Sequence, residues 1–422
     1  MLPLADVLVA RHEPVRVDGV LGDWQAITIK FSGEVLPRSR ADAFKGAMFA
    51  AYPGDLAFSK IDARNGAVGL IPDSIAKAVV TSEYPVFTPK ADKLRAAYLH
   101  YLLRAEHFKA DLQSKASGTS GRKRVTPEGF LSLEVPVPTL DAQDTLVAAY
   151  TADLNRAAQL EQEAEAIKRA GWQAFETALG VAPPPPLPDR PVFVARFKDV
   201  ERWSHGGILR GVLGNGAPSS EVSTEPLGNA LLEVRHGCSK GPSKKATSLR
   251  VLKISAVTKG RLDLEENKFI ADESVLREQF ALKAGDILMC RTNGTLAYVG
   301  MSALVEADID DMIFPDKVIR VRPNLDRIEP GFLWSLLQVP AVRSQIEAAA
   351  RTAVGNFAIG GKDIKTLKVP LPLLARQLEL ARALNDAVTD AKSKRTAAAT
   401  LRQSAWATFE AALFTATDEP AP

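Results

Sequence analysis

The sequence predicts an α+β protein in which two globular α/β domains alternate with two long helices that pair as an antiparallel coiled coil. Two observations carry this prediction. Landmarks between residues 82 and 176 recur 234 positions later, and each copy ends in a long segment that lacks turn and strand signals. This period is too long for a solenoid, whose repeats run about 20 to 50 residues, so it indicates the duplication of whole domains.

The repeat preserves residue chemistry as well as spacing. The clearest pairs are Pro89 with Pro323, Gly121 with Gly355, Gln143 with Gln377, and Trp172-x-x-Phe175-Glu176 with Trp406-x-x-Phe409-Glu410. We therefore expect the following segments: a first globular domain at 1–140, a first long helix at 141–180, a Pro-rich linker at 181–191, a second globular domain at 192–374, a second long helix at 375–414, and a disordered tail at 415–422.

Each globular domain begins with short segments of strand character. Runs of β-branched residues bounded by Gly, Pro or charged residues predict strands at 26–29, 78–81, 251–254 and 318–321. A Gly-Asp turn leads into an apolar strand in both halves, at Gly54-Asp55 and at Gly285-Asp286, which predicts a hairpin. One short helix is expected in each half, around residues 98–108 and 331–337.

The long helices are predicted from the absence of prolines and from a regular apolar stripe. Apolar residues recur at spacings of three and four, the pattern of a coiled-coil seam, apart from polar residues at three seam positions, Asp153, Lys394 and Thr408. The seam residues are Leu146, Tyr150, Ala157, Leu160, Ala164, Ile167, Gly171, Ala174 and Ala178 in the first copy, and Leu380, Leu384, Ala387, Ala391, Ala398, Leu401, Ala405 and Ala412 in the second. A single stripe would fit an ordinary amphipathic helix, but two in matching register favour pairing. Each helix would span about 57 Å and hold the globular domains apart.

Composition and motifs argue against a catalytic centre. The net charge is only +3, and the two cysteines, Cys238 and Cys290, suit a reducing cytosol. No apolar run approaches the roughly 20 residues of a membrane span, and the first residues lack the pattern of a signal peptide. There is no phosphate-binding loop, and the histidines show no metal-ligand spacing. We expect no metal and no cofactor in this chain.

The distribution of basic residues indicates that the ligand is a nucleic acid. Residues 234–262 contain eight basic residues and no acidic one, interleaved with Gly and Ser, which suits close approach to a phosphate backbone. The candidate DNA-binding residues are Lys60, Arg64, Asn65, Arg122, Lys123 and Arg124 in the first half, and Arg235, Lys240, Lys244, Lys245, Arg291 and Asn293 in the second. Arg and Asn can read guanine and adenine edges in the major groove. A solvated basic face is the alternative for each isolated cluster, and the two asparagines equally suit turns.

With these motifs the sequence resembles the specificity subunit of type I restriction–modification systems. The resemblance rests on Gly54-Asp55-Leu56 followed by Val68-Gly69, on Gly285-Asp286-Ile287 followed by Val299-Gly300, and on Val369-Pro370-Leu371-Pro372 before Gln377 and the second long helix. It covers essentially the whole chain, in two copies and in the order of the family.

The resemblance implies a division of labour. Each globular domain would be a target recognition domain that reads one half of a bipartite, asymmetric site in double-stranded DNA. The paired helices would set the spacer and dock two methyltransferase (modification) subunits, which use S-adenosylmethionine, and ATP-dependent restriction subunits would complete the complex. Candidates for the contact with these partners are the repeated residues Gln143, Trp172, Phe175, Gln377, Trp406 and Phe409.

Two other classes of function compete with this interpretation. A scaffold protein, whose coiled coil assembles partners and whose globular domains bind protein, would have the same helices. A single-chain DNA-modifying enzyme is disfavoured by the missing catalytic motifs. Footprinting on DNA separates the specificity subunit from the scaffold.

Overall fold

The computed structural model of the chain describes residues 1–16, 21–38, 47–116, 124–181, 194, 196, 208, 223–353 and 355–415. The chain forms two compact units. Unit 1 comprises Met1–Gln162 and Lys394–Pro422, and unit 2 comprises Glu163–Ser393. The predicted Pro-rich linker, apart from its first residue, and the predicted tail from residue 416 onward lie outside the described residues.

Unit 1 is built on two sheets. Its strands are β1 (Leu2–Pro3), β2 (Leu8–Arg11), β3 (Pro14–Val15), β4 (Gln25–Ile29), β5 (Val35–Pro37), β6 (Met48–Ala51), β7 (Leu56–Phe58), β8 (Val68–Leu70), β9 (Ala78–Thr81), β10 (Val86–Pro89) and β11 (Glu134–Val135). One sheet has the order β2-β10-β7-β8 and is antiparallel, and the other has the order β3-β6-β9-β4-β5 with a parallel β4–β9 pair. The strands predicted at 26–29 and 78–81 are β4 and β9.

Short helices cover the four-stranded sheet of unit 1. They are α1 (Leu4–Val7), α2 (Ala96–Leu102), α3 (Glu106–Ser114) and α4 (Pro127–Leu131). The prediction of one helix at 98–108 is wrong, because the chain turns between α2 and α3, where the amide of Ala105 donates to the carbonyl of Leu102. No Gly or Pro marks this break in the sequence.

Unit 2 repeats the four-stranded sheet. Its strands are β12 (Thr224–Pro226), β13 (Leu231–His236), β14 (Arg250–Leu252), β15 (Asn267–Phe269), β16 (Ile287–Cys290), β17 (Thr292–Asn293), β18 (Ser302–Leu304), β19 (Met312–Ile313), β20 (Val318–Pro323), β21 (Arg351–Ala353), β22 (Asn356–Ala358) and β23 (Lys368–Pro370). The order β13-β20-β16-β18 matches β2-β10-β7-β8 of unit 1. The remaining strands form the sheets β15-β14-β19 and β17-β22-β21, and β12 pairs with β23 as β1 pairs with β11.

The helices of unit 2 differ in part from those expected. They are α6 (Ser274–Gln279), α7 (Pro330–Leu336), α8 (Pro340–Ala349) and α9 (Gly361–Lys365). The helix predicted at 331–337 is α7, but α8 follows it at once, so the expectation of one short helix in each half is wrong. The strand predicted at 251–254 is also too long, because residues 254–256 form a 3-10 turn.

A buried aspartate follows the Gly-Asp turn in each unit. Gly54 and Gly285 have positive φ, which the turn requires and which glycine adopts without strain. The carboxylate of Asp55 accepts hydrogen bonds from the Tyr52 amide and from Arg11, and that of Asp286 accepts from the Lys283 amide and from Arg322. The predicted hairpin in unit 1 is the β7–β8 pair, and in unit 2 it is the β16–β18 pair.

Two long helices, α5 (Leu140–Ala178) and α10 (Leu374–Thr415), contribute residues to both units. In unit 1 the start of α5 lies beside the end of α10, since Tyr150 contacts Trp406 and Phe409 while Glu161 pairs with Arg402. Position numbers rise on one helix as they fall on the other, so the two run antiparallel within this unit.

The helix contact within unit 2 is close. A Cβ built on Gly171 of α5 would lie 2.7 Å from the Cβ of Ala387 on α10. This is closer than real Cβ atoms come, so the contact requires a glycine. Some residues of the predicted seam are buried, namely Ala157 in unit 1 and Ala164 and Ala391 in unit 2. At the end of α5 the prediction is wrong, because Phe175 is buried and Ala174 is exposed.

Candidate nucleic-acid interface

In both units, three chain segments that are distant in the sequence are joined by equivalent main-chain hydrogen bonds. In unit 1 the amide of Lys60 donates to the carbonyl of Glu83, and the carbonyl of Lys60 accepts from the amide of Val125. In unit 2 the amide of Arg291 donates to the carbonyl of Lys317, and its carbonyl accepts from the amide of Ile359. We call each of these the strand-end junction, because Lys60 and Arg291 follow the strands β7 and β16. It brings the residue after each predicted Gly-Asp strand into contact with Val125 in unit 1 and with Ile359, four residues after Gly355, in unit 2.

The junction of unit 1 gathers several predicted DNA-binding residues. Arg124 directly precedes Val125, is exposed, and pairs with Glu83 at 3.3 Å. Arg64 and Asn65 lie on a 3-10 turn that ends at Gly66, whose φ is +101°. The Nε atom of Arg64 is buried and lacks a hydrogen-bond partner among the described residues. Arg122 and Lys123 lie outside the described residues, so their prediction stays open.

Asn65 and Asn293 both act as turn residues. The Asn65 amide group donates to the carboxylate of Asp62 at 3.4 Å, and the Oδ1 atom of Asn293 accepts from the amide of Thr295 at 3.0 Å. Asn65 is also exposed, whereas Asn293 is half-buried. The alternative turn interpretation therefore describes both residues, and their contact with bases remains a prediction.

The junction of unit 2 is also polar. Arg291 donates to the carbonyl of Asp316 at 3.0 Å, and the nearby His236 is exposed at the end of β13. Partial burial lowers the pKa of His236, the positive charge of Arg291 lowers it further, and Asp316 opposes both. A neutral imidazole offers one donor and one acceptor at this surface.

Most of the basic residues in the acid-free stretch 234–262 are paired with acids. Arg235 pairs with Glu233, Lys240 with Glu273, Arg250 with Asp311, Lys253 with Glu266, and Lys259 with Asp263. Folding thus brings carboxylates from outside the stretch next to these basic residues. Their contact with a phosphate backbone stays a prediction. Lys244 and Lys245 are exposed and have no ion pair among the described residues. Of the predicted DNA-binding residues in this stretch, these two are the ones whose positive charge no carboxylate among the described residues offsets.

Glu233 lies between two arginines. It accepts hydrogen bonds from Arg235 and from the buried Arg320. Desolvation raises the pKa of Glu233, but the hydrogen bonds from the two arginines outweigh it and lower the pKa overall. Arg235 is thus part of a charge network of unit 2, next to a polar cavity of about 540 Å³ that Glu233 and Arg320 also line.

The two repeated glutamines lie in the interior, which corrects their assignment to a partner surface. Gln143 and Gln377 are 0% and 1% exposed. The amide oxygen of Gln143 accepts from the Arg95 amide, and its nitrogen donates to the carbonyls of Lys93 and Pro138. All three bonds lie within unit 1 and tie the start of α5 to the start of α2. In this structure the side chain has no surface for a direct contact with a partner.

The repeated aromatic residues also belong to cores, which corrects a second part of that assignment. Phe175 and Phe409 are buried, and the ring of Phe175 lies 5.7 Å from that of Phe332 in unit 2. In unit 1 Phe409 packs against Tyr101 at 5.6 Å. Trp172 and Trp406 pack on the same cores but remain half-buried, so a partner could reach only these two.

The described residues offer no sign of a metal centre or of a membrane segment. No group of three or more His, Cys, Asp or Glu side chains among them could hold a metal ion. Likewise, none of the helices in the described part of the chain is long and apolar enough to cross a bilayer. Cys290 is buried, which raises the pKa of its thiol to about 11.

Comparison with known proteins identifies relatives. No family model matches the sequence. The specificity subunit of the type I restriction enzyme EcoKI from Escherichia coli strain K12 is 24% identical over 295 residues, which are 68% of this chain and 57% of that protein. The EcoEI specificity subunit of Escherichia coli is 23% identical over 371 residues, 73% of this chain and 62% of that protein. The chain thus spans less than two thirds of the length of these relatives.

Solved structures share the fold. The HsdS subunit from Thermoanaerobacter tengcongensis superposes with a TM-score of 0.51 at 16% identity, covering 98% of this chain and 95% of that one. A chain from a study of complex assembly and conformational transition of the type I R-M system superposes with a TM-score of 0.59 at 14% identity, covering 98% and 96%. The fold is therefore that of solved type I restriction–modification subunits. In sequence, the chain is similar to the specificity subunits of type I restriction enzymes.

Proposed function

We propose that this chain is the DNA-specificity subunit of a type I restriction–modification complex. Each unit would carry one target recognition domain, which reads one half of a bipartite, asymmetric site in double-stranded DNA. The chain would supply no catalytic group, and S-adenosylmethionine would be bound by two methyltransferase subunits. Restriction subunits would complete the complex in the cytoplasm.

The strand-end junction supports this proposal most directly. The same backbone hydrogen bonds recur in both units, at Lys60 and at Arg291, and basic or polar side chains surround them in each case. The side chains themselves differ between the units. Arg122 of the first half, for example, matches Asn356 of the second in the repeat. Two strand-end junctions with the same main-chain hydrogen bonds but different side chains suit two half-sites of different sequence.

We further propose that α5 and α10 pair along their whole length as one antiparallel coiled coil. The antiparallel contact of Tyr150 with Phe409 and the close contact of Gly171 with Ala387 support it. The coiled coil would set the spacer between the half-sites and dock the two methyltransferase subunits. Trp172 and Trp406, each half-buried, are the repeated residues best suited to that docking.

Footprinting tests the proposal. The full-length chain, assembled with its methyltransferase subunits, would select sequences from a random double-stranded DNA library, and the selected DNA would then be footprinted. We expect two protected patches of different sequence, separated by a gap of fixed length and random sequence. Binding that is indifferent to sequence would instead support the scaffold alternative, in which the globular domains bind protein.

A further inference from the structure

A β-hairpin of unit 2 has the geometry of a DNA groove reader. Strands β21 and β22 pair in the register Arg351 to Ala358, Thr352 to Phe357 and Ala353 to Asn356. Strand β17 pairs with the other edge of β22, which attaches the hairpin to the strand-end junction at Arg291. The major groove of B-DNA is wide enough to admit a two-stranded β-ribbon of this kind.

The two faces of the hairpin differ in character. Side chains alternate between the faces of a strand, and directly paired residues share a face. Phe357 packs against the core of unit 2, so the face that carries Phe357 and Thr352 is the anchored one. Arg351 and Asn356 belong to the opposite face, and both are exposed.

Asn356 is free to bind a ligand. Its side-chain amide has no hydrogen-bond partner among the described residues, whereas Asn293 nearby is engaged by the amide of Thr295. Its Oδ1 atom lies beside the adjacent loop, 3.7 Å from the position of a Cβ built on Gly294, which is an ordinary van der Waals separation. The residue is nevertheless exposed. An asparagine amide can donate to N7 and accept from N6 of adenine at the same time, which distinguishes adenine from the other bases.

Arg351 is held in place at the other end of this face. Its side chain is 73% exposed, and it pairs with Asp363 at 3.3 Å. The second carboxylate oxygen of Asp363 accepts from the amide of Gly360, so the carboxylate itself is fixed. A positively charged guanidinium on a held, exposed side chain suits contact with a phosphate.

We propose that the β21–β22 hairpin enters the major groove, that Asn356 reads one adenine of the half-site bound by unit 2, and that Arg351 contacts a flanking phosphate. This inference rests on the proposed function, since it assigns residues to the recognition of one half-site. It goes beyond it by naming the reading element, the base that it reads and the side chain responsible.

The test compares the motifs selected by variants of the full-length chain in its complex with the methyltransferase subunits. In Asn356→Ala, the ratio of the affinity for A·T to that for the other base pairs is expected to fall by roughly 5- to 150-fold at one position of one half-site. Every other position should keep its preference. Asn356→Asp should lose adenine as well, because a carboxylate cannot donate, and shift the preference toward cytosine, whose amino group it can accept from.

Two further variants serve as matched controls. Thr352→Ala changes an exposed residue of the same hairpin on the anchored face and should leave the motif unchanged. Arg351→Ala should weaken binding to all sequences about equally and reduce the slope of log affinity against log salt by less than about 1, because Arg351 already pairs with Asp363. Circular dichroism and thermal unfolding verify that each variant is folded.

The outcomes separate the two proposals. If the wild-type complex selects a bipartite motif and Asn356→Ala selects the same motif at every position, the hairpin assignment is overturned and the specificity function stands. If Asn356→Ala alters the other half-site, the assignment is equally overturned. A wild-type complex that selects no motif overturns both.

Discussion

Gln143 and Gln377 make the same three hydrogen bonds at positions 234 residues apart. Each amide oxygen accepts from the amide of the residue that precedes a short helix, Arg95 or Glu329, and each amide nitrogen donates to two carbonyls. In both units one of those carbonyls belongs to the last proline before the long helix. The glutamine therefore fixes the start of a long helix to the globular part of its own unit.

Replacement of these glutamines should destabilise each unit. Gln143→Ala leaves one N–H and two C=O groups unpaired in the interior, so we expect a loss of about 3 kcal/mol in the free energy of unfolding. Denaturant titration measures it. Gln162→Ala, at an exposed position of the same helix, should change stability by no more than about 0.5 kcal/mol. A loss for Gln143→Ala as small as that of the control would show that the bonds are unimportant.

The contact between Gly171 and Ala387 should not tolerate a larger residue. Gly171→Ala adds a Cβ at 2.7 Å from that of Ala387, and overpacking of this kind costs about 1 to 3 kcal/mol. The better helix propensity of alanine offsets up to about 1 kcal/mol of that cost. We expect a lower unfolding midpoint and its recovery in the double variant Gly171→Ala with Ala387→Gly. An increase in stability on the single change would contradict the close contact.

Lys244 and Lys245 should dominate the electrostatic contribution of the 234–262 stretch to DNA binding. Because they are free of ion pairs among the described residues, the double change to Ala should weaken binding to every sequence and lower the salt slope by about 2. Lys240→Ala should lower the salt slope by less than either single change, Lys244→Ala or Lys245→Ala, since Lys240 already pairs with Glu273. Affinity measured at several salt concentrations checks this. Equal decreases for the three single changes would mean that the pairing does not matter in solution.

His100 should make unit 1 sensitive to acid. Burial, and then the charge of Arg104, lowers the pKa of His100 from 6.5 to about 4 in the folded chain. Its contribution to stability is therefore complete above about pH 6.5 and declines as the pH falls toward 4. Wild type and His100→Gln should differ in the slope of stability against pH within this window, and only there. Parallel curves would show that the histidine titrates normally.

The proposed coiled coil makes a prediction about the target site. Adding one heptad after Gln162 in α5 and another after Ser393 in α10 lengthens both helices by about 10 Å and keeps the heptad phase. Because one base pair rises 3.4 Å, the spacer should grow by at most about 3 base pairs while both half-sites stay the same. A heptad in only one helix, which breaks the register, is the control. An unchanged spacer would mean that the helices do not set the distance.

The repeat made much of this fold predictable. The two Gly-Asp strands and both long helices follow from local patterns that appear twice, and a second copy turns a weak signal into a firm one. The strands β4, β9 and β20 follow from runs of β-branched residues. Lys60 and Arg291 stand six residues after Gly54 and Gly285, the same distance in both copies. The repeat also pointed to Gln143 and Gln377, but repetition alone does not distinguish an interior role from a surface role.

Other features depend on contacts between distant residues and leave no local pattern. The acids that pair with Lys240 and Arg250 are Glu273 and Asp311, well outside the basic stretch. The break between α2 and α3 has no Gly or Pro to mark it. The hairpin that carries Arg351 and Asn356 leaves no strand pattern in the sequence, because its strands are only three residues long. Gly355, with its φ of +77°, was the one available signal of a turn there.

The two hydrogen bonds that define each strand-end junction, one to the amide and one to the carbonyl of Lys60 or Arg291, join main-chain N–H and C=O groups. Every amino acid except proline supplies both, so the junction does not depend on which side chains the surrounding loops carry. The side chains proposed to read DNA could therefore be exchanged during evolution without loss of these main-chain hydrogen bonds. New target sequences would then be accessible by single substitutions, with no compensating change elsewhere in the unit.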